Sequence, residues 1–336
     1  MNKNRTPLII TGAIIFAIGA AFFSLAGYYI DWLWFESVGF TSVWSTVLFT
    51  RIQLFLIVGI LTAALLSANI YIAYKRRPLY VPMNIEVSGV ERLRAQIEPV
   101  RRWVFLGITA AVVYFAGTSG MIFWREWLQF RNSTDFGVTD PQFNLDISFF
   151  AFKLPMYQAL IGWGISTLVL AALASAFVHY MYGGIRTDVQ TDRTTVAARV
   201  QISILLGLIV LLKAVAYWFD RYALSLQEGR LITGLTFSDV NALLPAKAIL
   251  SAIAVVCSLL FFANIIRRSW LLPAAGTALL VISSVLIAGV YPAAIQQFQV
   301  KPSESSKEAP YIQRNIDATR AAYDLAGVEV IDYNAK

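Results

Sequence analysis

Residues 52–74 read IQLFLIVGILTAALLSANIYIAY, and Lys75, Arg76 and Arg77 follow at once. This stretch decides the fold. It carries no charged side chain over more than the ~20 residues an α-helix needs to cross a hydrocarbon core. It also lacks the strict apolar–polar alternation of a half-buried strand. A helix that is apolar on every face belongs in a large core or in lipid. Outward from it the pattern returns six times, at 8–30, 103–124, 156–182, 200–219, 248–266 and 271–295, each stretch bounded by charged, Pro or Gly residues. The first follows Lys3 and Arg5 in the manner of a signal peptide, but it exceeds the ~7–15 residues of such an apolar region. It reads as an uncleaved span.

Composition agrees. Of 336 residues, 58% are hydrophobic and 14% are charged, against about 25% charged in a soluble domain. A chain of this length cannot bury that apolar surface in itself. The expected fold class is therefore an all-α integral membrane protein of seven transmembrane helices, with short interfacial helices in its loops. Residues 1–300 form the membrane domain.

The net charge of +7 bears on orientation rather than on nucleic acid, which is not an expected partner. Fourteen Lys and Arg fall in the N-terminal segment and the connections 75–102, 183–199 and 267–270, and seven in the alternate connections. That bias puts the N-terminus in the cytoplasm and, with an odd number of spans, the C-terminus outside a cell membrane. Trp32, Trp34, Trp44, Trp124, Trp127 and Trp218 then mark the outer interface, and Trp103 and Trp270 the inner one.

The connections differ. In the inner one, Val90, Leu93, Ile97 and Val100 recur at helical spacing among Arg92, Arg94 and Glu98, the pattern of an amphipathic helix on anionic headgroups. The outer connection 125–155 is rich in aromatics (Phe130, Phe136, Phe143, Phe149, Phe150), which favours packing onto helix ends. The outer connection 220–247 holds a short helical stretch at 238–244, stopped by Pro245. No internal repeat stands out. After 300 the composition turns polar: 301–308 reads as a linker, and Pro310 suits the first turn of a helix. Ile312, Ile316 and Tyr323 share one face of that helix, Gly327 ends it, and 328–333 alternates as a strand does. This segment, 301–336, reads as the start of an extracytoplasmic domain that is cut off.

Chemical motifs are scarce. The sequence holds no phosphate-cradling glycine loop, HExxH, CxxC or G-x-S-x-G, so no catalytic, metal or cofactor residue is assigned and no cofactor is expected. With one His and one Cys (His179 and Cys257), a His-based metal cage and an intrachain disulfide have no ligands or partner. Ionisable groups inside spans are the default functional candidates in a membrane chain. Lys213 lies roughly 9 Å below the outer end of the fifth span, close enough to snorkel, with Asp220 on the same helix face as a pairing partner. It reads as a snorkelling or paired structural lysine, or as an anion contact near an outer vestibule. His179, near the inner end of the fourth span, reads as an interfacial hydrogen-bonding group or a proton relay. Asp140, with Asp135, reads as a turn-forming carboxylate or one of a catalytic pair. No Asp or Glu falls inside a span away from its ends, which counts against a coupled transporter acting alone. Small residues such as Gly107 and Ala111, or Ala172 and Ala176, permit close helix packing.

Three segments resemble a known family: 136–149, FGVTDPQFNLDISF; 239–247, with Asp239-Val240-Asn241 and Leu244-Pro245-Ala246-Lys247; and 291–316, from Tyr291-Pro292 through QQFQVKP to EAPYI and Arg314-Asn315-Ile316. The chain is identified as similar to the bacterial multi-pass membrane-protein family of unknown function numbered 0182. The resemblance implies a membrane portion followed by a large extracytoplasmic region, and no catalytic residues.

Three functions are open on this reading. The first is a non-enzymatic membrane platform that anchors an outer domain and binds an envelope protein or lipid. The second is a transporter or channel component with a vestibule near Lys213, and the third is a lipid-acting enzyme that uses loop carboxylates. The bilayer is the expected partner, and homo-oligomer formation stays open.

Overall fold

The structure, a computed structural model, describes residues 6–78, 89–186, 194–229, 232–267, 271–325, 327–329 and 331. Lys3, Arg5 and Trp270, named above, lie outside them, as do Arg193, Arg230 and Arg268 of the counted basic residues and 330, 332 and 333 of the expected strand. The helices are α1 (Thr6–Ser37), α2 (Thr41–Lys75), α3 (Gly89–Ile97), α4 (Arg101–Gly120), α5 (Trp124–Arg131), α6 (Leu154–Met181), α7 (Val196–Ala223), α8 (Leu244–Arg267), α9 (Leu271–Ser283), α10 (Tyr291–Ile295) and α11 (Glu304–Ala322). Seven helical runs are long and apolar enough to cross a membrane. Among the described residues there is no strand, only isolated bridges such as Thr139 with Asp146. Val328, Glu329 and Ile331 are not extended into one, since a lone strand has no edge to pair with.

The spans pack as a row in the order α4, α2, α6, α7, α8, α9. Lipid supplies no hydrophobic drive between helices, so close backbone approach and interhelical hydrogen bonds must hold the row. Both are present. A Cβ on Gly59 would lie 2.7 Å from the Val113 carbonyl oxygen, and one on Gly117 2.6 Å from the Phe55 ring, so α2 and α4 touch where only glycine fits. Gly107, in contrast, faces open space, and Ala111 is exposed; that expected packing stripe points away from the bundle. Ala172 does pack against the buried Leu66, Ala171 and Leu205. Trp163 Nε1 donates to Thr62 Oγ1 at 2.9 Å, Asn264 Nδ2 to Ser203 Oγ at 2.8 Å, and Ser258 Oγ to the Gly207 carbonyl at 3.0 Å. The outward faces are apolar and bare, as at Leu173, Leu259 and Phe23.

Four helical joints share one device. A π-helical turn precedes Leu154-Pro155, Leu244-Pro245, Tyr291-Pro292 and Lys301-Pro302. A proline ring crowds the carbonyl four residues back and brings no N–H to it; opening the preceding turn to π geometry relieves the clash. Pro245 therefore does not stop a separate helix at 238–244. Residues Asp239–Leu243 form the π turn that leads into α8. The same comparison reveals a local repeat that the sequence hid. Ser148 and Ser238 are each buried, each followed by a five-residue π turn, a buried Leu and a Pro, at the entrances of the fourth and sixth spans on the side that the charge bias reads as outer.

The seventh run also departs from expectation. It continues without a linker from Leu271 to Ala322, 52 residues, which at ~1.5 Å rise per residue is more than twice a membrane's thickness. The polar residues 301–308 continue the helix, as a 3-10 turn over Lys301–Ser303 and then as α11, and Pro310 sits inside α11 rather than in its first turn. Gly327 is not the terminator. Asp324 takes the left-handed conformation (φ 55°), and the Leu325 N–H closes on the Arg320 carbonyl at 2.7 Å.

Candidate functional site

The end of the bundle that the charge bias reads as outer is organised around an aromatic cluster. Tyr222, just beyond the membrane end of α7, has Phe143 at 4.9 Å, Phe149 at 5.3 Å and Phe219 at 6.2 Å between ring centres. The loop 132–148 packs onto helix ends here, as its composition predicts. Its carboxylates are consumed by backbone. Asp140 Oδ2 accepts the N–H groups of Gln142 (2.9 Å) and Phe143 (2.7 Å), closing a turn whose next residue but one, Asn144, is left-handed. Asp146 accepts Phe136, Gly137 and Ser148 N–H groups. Hydrogen bonds from Ser148 first, then from those backbone amides, lower its carboxyl to about 2. Asp135 binds the Ser148 hydroxyl at 3.2 Å, with Lys153 at 3.9 Å. Asp140 and Asp146, tied in this way, are turn and cap groups, whereas the Asp135 side chain stays largely exposed.

Lys213 and Asp220 are not partners. Asp220 Oδ2 holds Lys247 Nζ, from α8, at 3.0 Å. Lys213 Nζ instead lies 4.7 Å from the Tyr217 ring centre, and Lys247 Nζ lies 5.6 Å from that ring. Two ammonium groups thus share one buried aromatic face. Lys213 has no carboxylate at ion-pair distance among the described residues. The sequence missed Lys247 as the partner because it belongs to another helix, 27 residues on.

His179 is buried at the other end of the bundle. One of its ring nitrogens, Nε2, shares a 3.0 Å hydrogen bond with Gln201 Oε1, and Gln201 Nε2 donates to the Asn69 carbonyl (2.9 Å) and to Ser175 Oγ (3.1 Å). Three spans are tied by one amide. The turn after α6 closes tightly on the same histidine: Gly183 is left-handed (φ 73°), the Gly184 N–H reaches the His179 carbonyl, and a Cβ on Gly184 would lie 2.9 Å from His179 Nδ1. Gln201 is the functional polar residue the sequence did not single out; an amide in an otherwise apolar run was the available signal.

Beyond the membrane, α11 folds across the outer loops. Glu308, 4% exposed, accepts the Phe237 N–H at 3.0 Å. Tyr311 meets Phe237 edge to face at 6.4 Å, Asn315 Nδ2 donates to the Thr233 carbonyl at 2.8 Å, and the Ser238 hydroxyl bonds Gln296. The docking face is thus Glu308, Tyr311 and Asn315, not the apolar stripe read from the sequence. Ile316 and Tyr323 stay exposed. A hollow of about 280 Å³ is lined by Tyr28, Tyr29, Trp32 and Trp44. No three His, Cys, Asp or Glu side chains among the described residues come together as a metal site.

Seven apolar runs, six of them packed as a row with polar groups paired across helices, define a multi-pass helical membrane protein. The chain belongs to the uncharacterised protein family UPF0182, whose sequence model matches residues 8–336. It is 46% identical over its whole length to a UPF0182 protein of Streptomyces coelicolor, covering 34% of that protein. It is 46% identical to one of Nocardioides over 99% of this chain and 33% of that one, and 44% identical to one of Thermobifida fusca over 100% and 33%. The chain therefore spans about a third of the length of the curated relatives it matches. No solved structure matches it.

Proposed function

We propose that this chain is a membrane-embedded platform, with its N-terminus cytoplasmic and C-terminus outside the cell membrane, that anchors an extracytoplasmic domain and binds envelope partners or lipids. The observation that carries the reading is the Glu308–Phe237 clamp: the last membrane helix leaves the bilayer without a break and is fastened by a buried carboxylate to the loop before the sixth span. A free tail needs no such fixture, whereas a mounting for further chain does. Ile316 and Tyr323, outside the clamp, are exposed contact points. The much greater length of the relatives supports a domain seated there. Photo-crosslinkers at the positions matching Ile316 and Tyr323 in the full-length Streptomyces coelicolor relative test this. Crosslinks to residues beyond the matched third are expected; their absence would remove the platform.

A second reading, a transporter or channel component, is favoured by Lys213, an ammonium within a span whose partner among the described residues is an aromatic ring. Anion flux into proteoliposomes that Lys213→Met abolishes and Lys213→Arg retains would establish it. The lipid-enzyme reading draws less support, since Asp140 and Asp146 are occupied by backbone amides and Asp135 stands apart from them.

A further inference from the structure

The face that carries the surplus of Lys and Arg holds a built cluster used by neither of those readings. The end of α2 brings Tyr74 and Arg77, α3 and the turn after it bring Arg94, Glu98 and Arg101, and Tyr182 caps α6. The two tyrosine rings stand edge to face at 5.2 Å. Glu98 is fully engaged: Oε1 accepts from Arg101 at 2.5 Å and from the Tyr74 hydroxyl at 3.3 Å, and Oε2 from the Tyr182 hydroxyl at 3.0 Å. This one carboxylate balances one guanidinium. Two guanidiniums remain.

Arg77 lies 3.9 Å from the Tyr74 ring centre and 5.3 Å from that of Tyr182, and Arg94 lies 4.9 Å from Tyr182. Neither has a carboxylate at ion-pair distance among the described residues. Arg77 Nη1, shielded from solvent, has no hydrogen-bond partner among the described residues. Stacking fixes a guanidinium by its face and leaves the donors at its edge, the arrangement that suits phosphate oxygens. Leu93, Val100 and Trp103, in the same stretch of chain as Arg94 and Arg101, are exposed, Trp103 at 77%. A soluble anion has no use for such apolar neighbours, whereas the chains of a phospholipid do.

We propose that the Arg77–Arg94–Tyr182 cluster binds the phosphate of an anionic phospholipid headgroup, with the acyl chains beside Leu93, Val100 and Trp103. The assignment does not depend on the outer platform. The test titrates the purified 336-residue chain in detergent with phosphatidylglycerol or phosphatidylcholine and counts bound lipid by native mass spectrometry. Retention of phosphatidylglycerol at about thirtyfold lower concentration is expected, the effect of two basic groups near a headgroup. Arg77→Gln with Arg94→Gln should erase that preference. Lys75→Gln with Arg76→Gln, an equal charge loss in exposed neighbours, should keep it. Should the first pair misfold, Arg77→Lys with Arg94→Lys replaces it: charge is kept, the fork is lost, and the preference should fall several-fold. Equal retention of both lipids, equal loss in the Lys75/Arg76 control, or an unchanged preference in the Lys pair would overturn the site. Displacement of phosphatidylglycerol by millimolar inorganic phosphate would assign the cluster to a soluble anion and overturn the lipid.

Discussion

Glu308 and Phe237 lie 71 residues apart in the chain and meet at 3.0 Å, a buried carboxylate on a backbone N–H. The contact joins a helix that has left the membrane to the loop that opens the sixth span. Tyr311 and Asn315 extend it along the same helix face. The outer end of the bundle and α11 are thereby one surface.

Glu308→Ala leaves the Phe237 N–H without its acceptor. A hydrogen bond to a charged group contributes about 1.5–3 kcal/mol, so proteolytic cleavage within α11 should speed up by an order of magnitude or more while the spans stay intact. Unchanged cleavage would mean the carboxylate does not hold the helix.

Lys247 and Lys213 should separate. Lys247→Met strands Asp220 and should cost roughly 1–2 kcal/mol, between the exposed and buried limits for ion pairs. Lys213→Met keeps the stem against Tyr217 and should cost less than about 1 kcal/mol. Steric-trap unfolding in bicelles ranks them; the reverse order would refute the pairing.

Gln201→Leu removes the one amide that ties His179, Ser175 and Asn69. Buried partners left unpaired cost about 1–3 kcal/mol. A loss of thermal stability in detergent is expected, and an unchanged midpoint would dismiss the network as incidental.

Gly59→Ala must push apart α2 and α4, because its Cβ would meet backbone at 2.7 Å; overpacking of this kind costs roughly 1–3 kcal/mol. Gly107→Ala meets nothing and should be neutral or slightly stabilising, as Ala exceeds Gly in helix preference by about 1 kcal/mol. Equal effects would contradict the packing.

Asp146, lowered to about 2 by Ser148 and its neighbouring amides, sets a pH window. A depressed carboxylate stabilises the fold above its unfolded value of about 3.9 and loses that contribution as pH falls through the folded one. The Phe136 and Gly137 amides should stay protected at pH 4 and open toward pH 2. Opening already near pH 4 would show that the cap is not formed.

The spans were legible because lipid demands long uncharged runs, and the aromatic loop because Phe143 and Phe149 had to be covered. What the sequence concealed was partnership between distant segments. Asp220 was matched to Lys213 on its own helix, whereas geometry gave it Lys247 on the next. Polar residues at 301–308 looked like a linker because helices outside lipid lose the apolar signal that marks those inside it. Pro245 and Pro155 looked like stops, yet each continues its helix through a π turn. Gln201 and Glu308 are single polar residues whose meaning appears only once their partners are placed beside them.

Amide hydrogen exchange across 304–322 in the 336-residue chain tests the central claim most directly, since exchange reports local opening. Docking of α11 onto the outer loops predicts slow exchange from Glu308 to Ala322, matched by protection at Phe237. Exchange at the rate of an unstructured tail, with Phe237 equally open, would contradict the clamp and the platform built upon it.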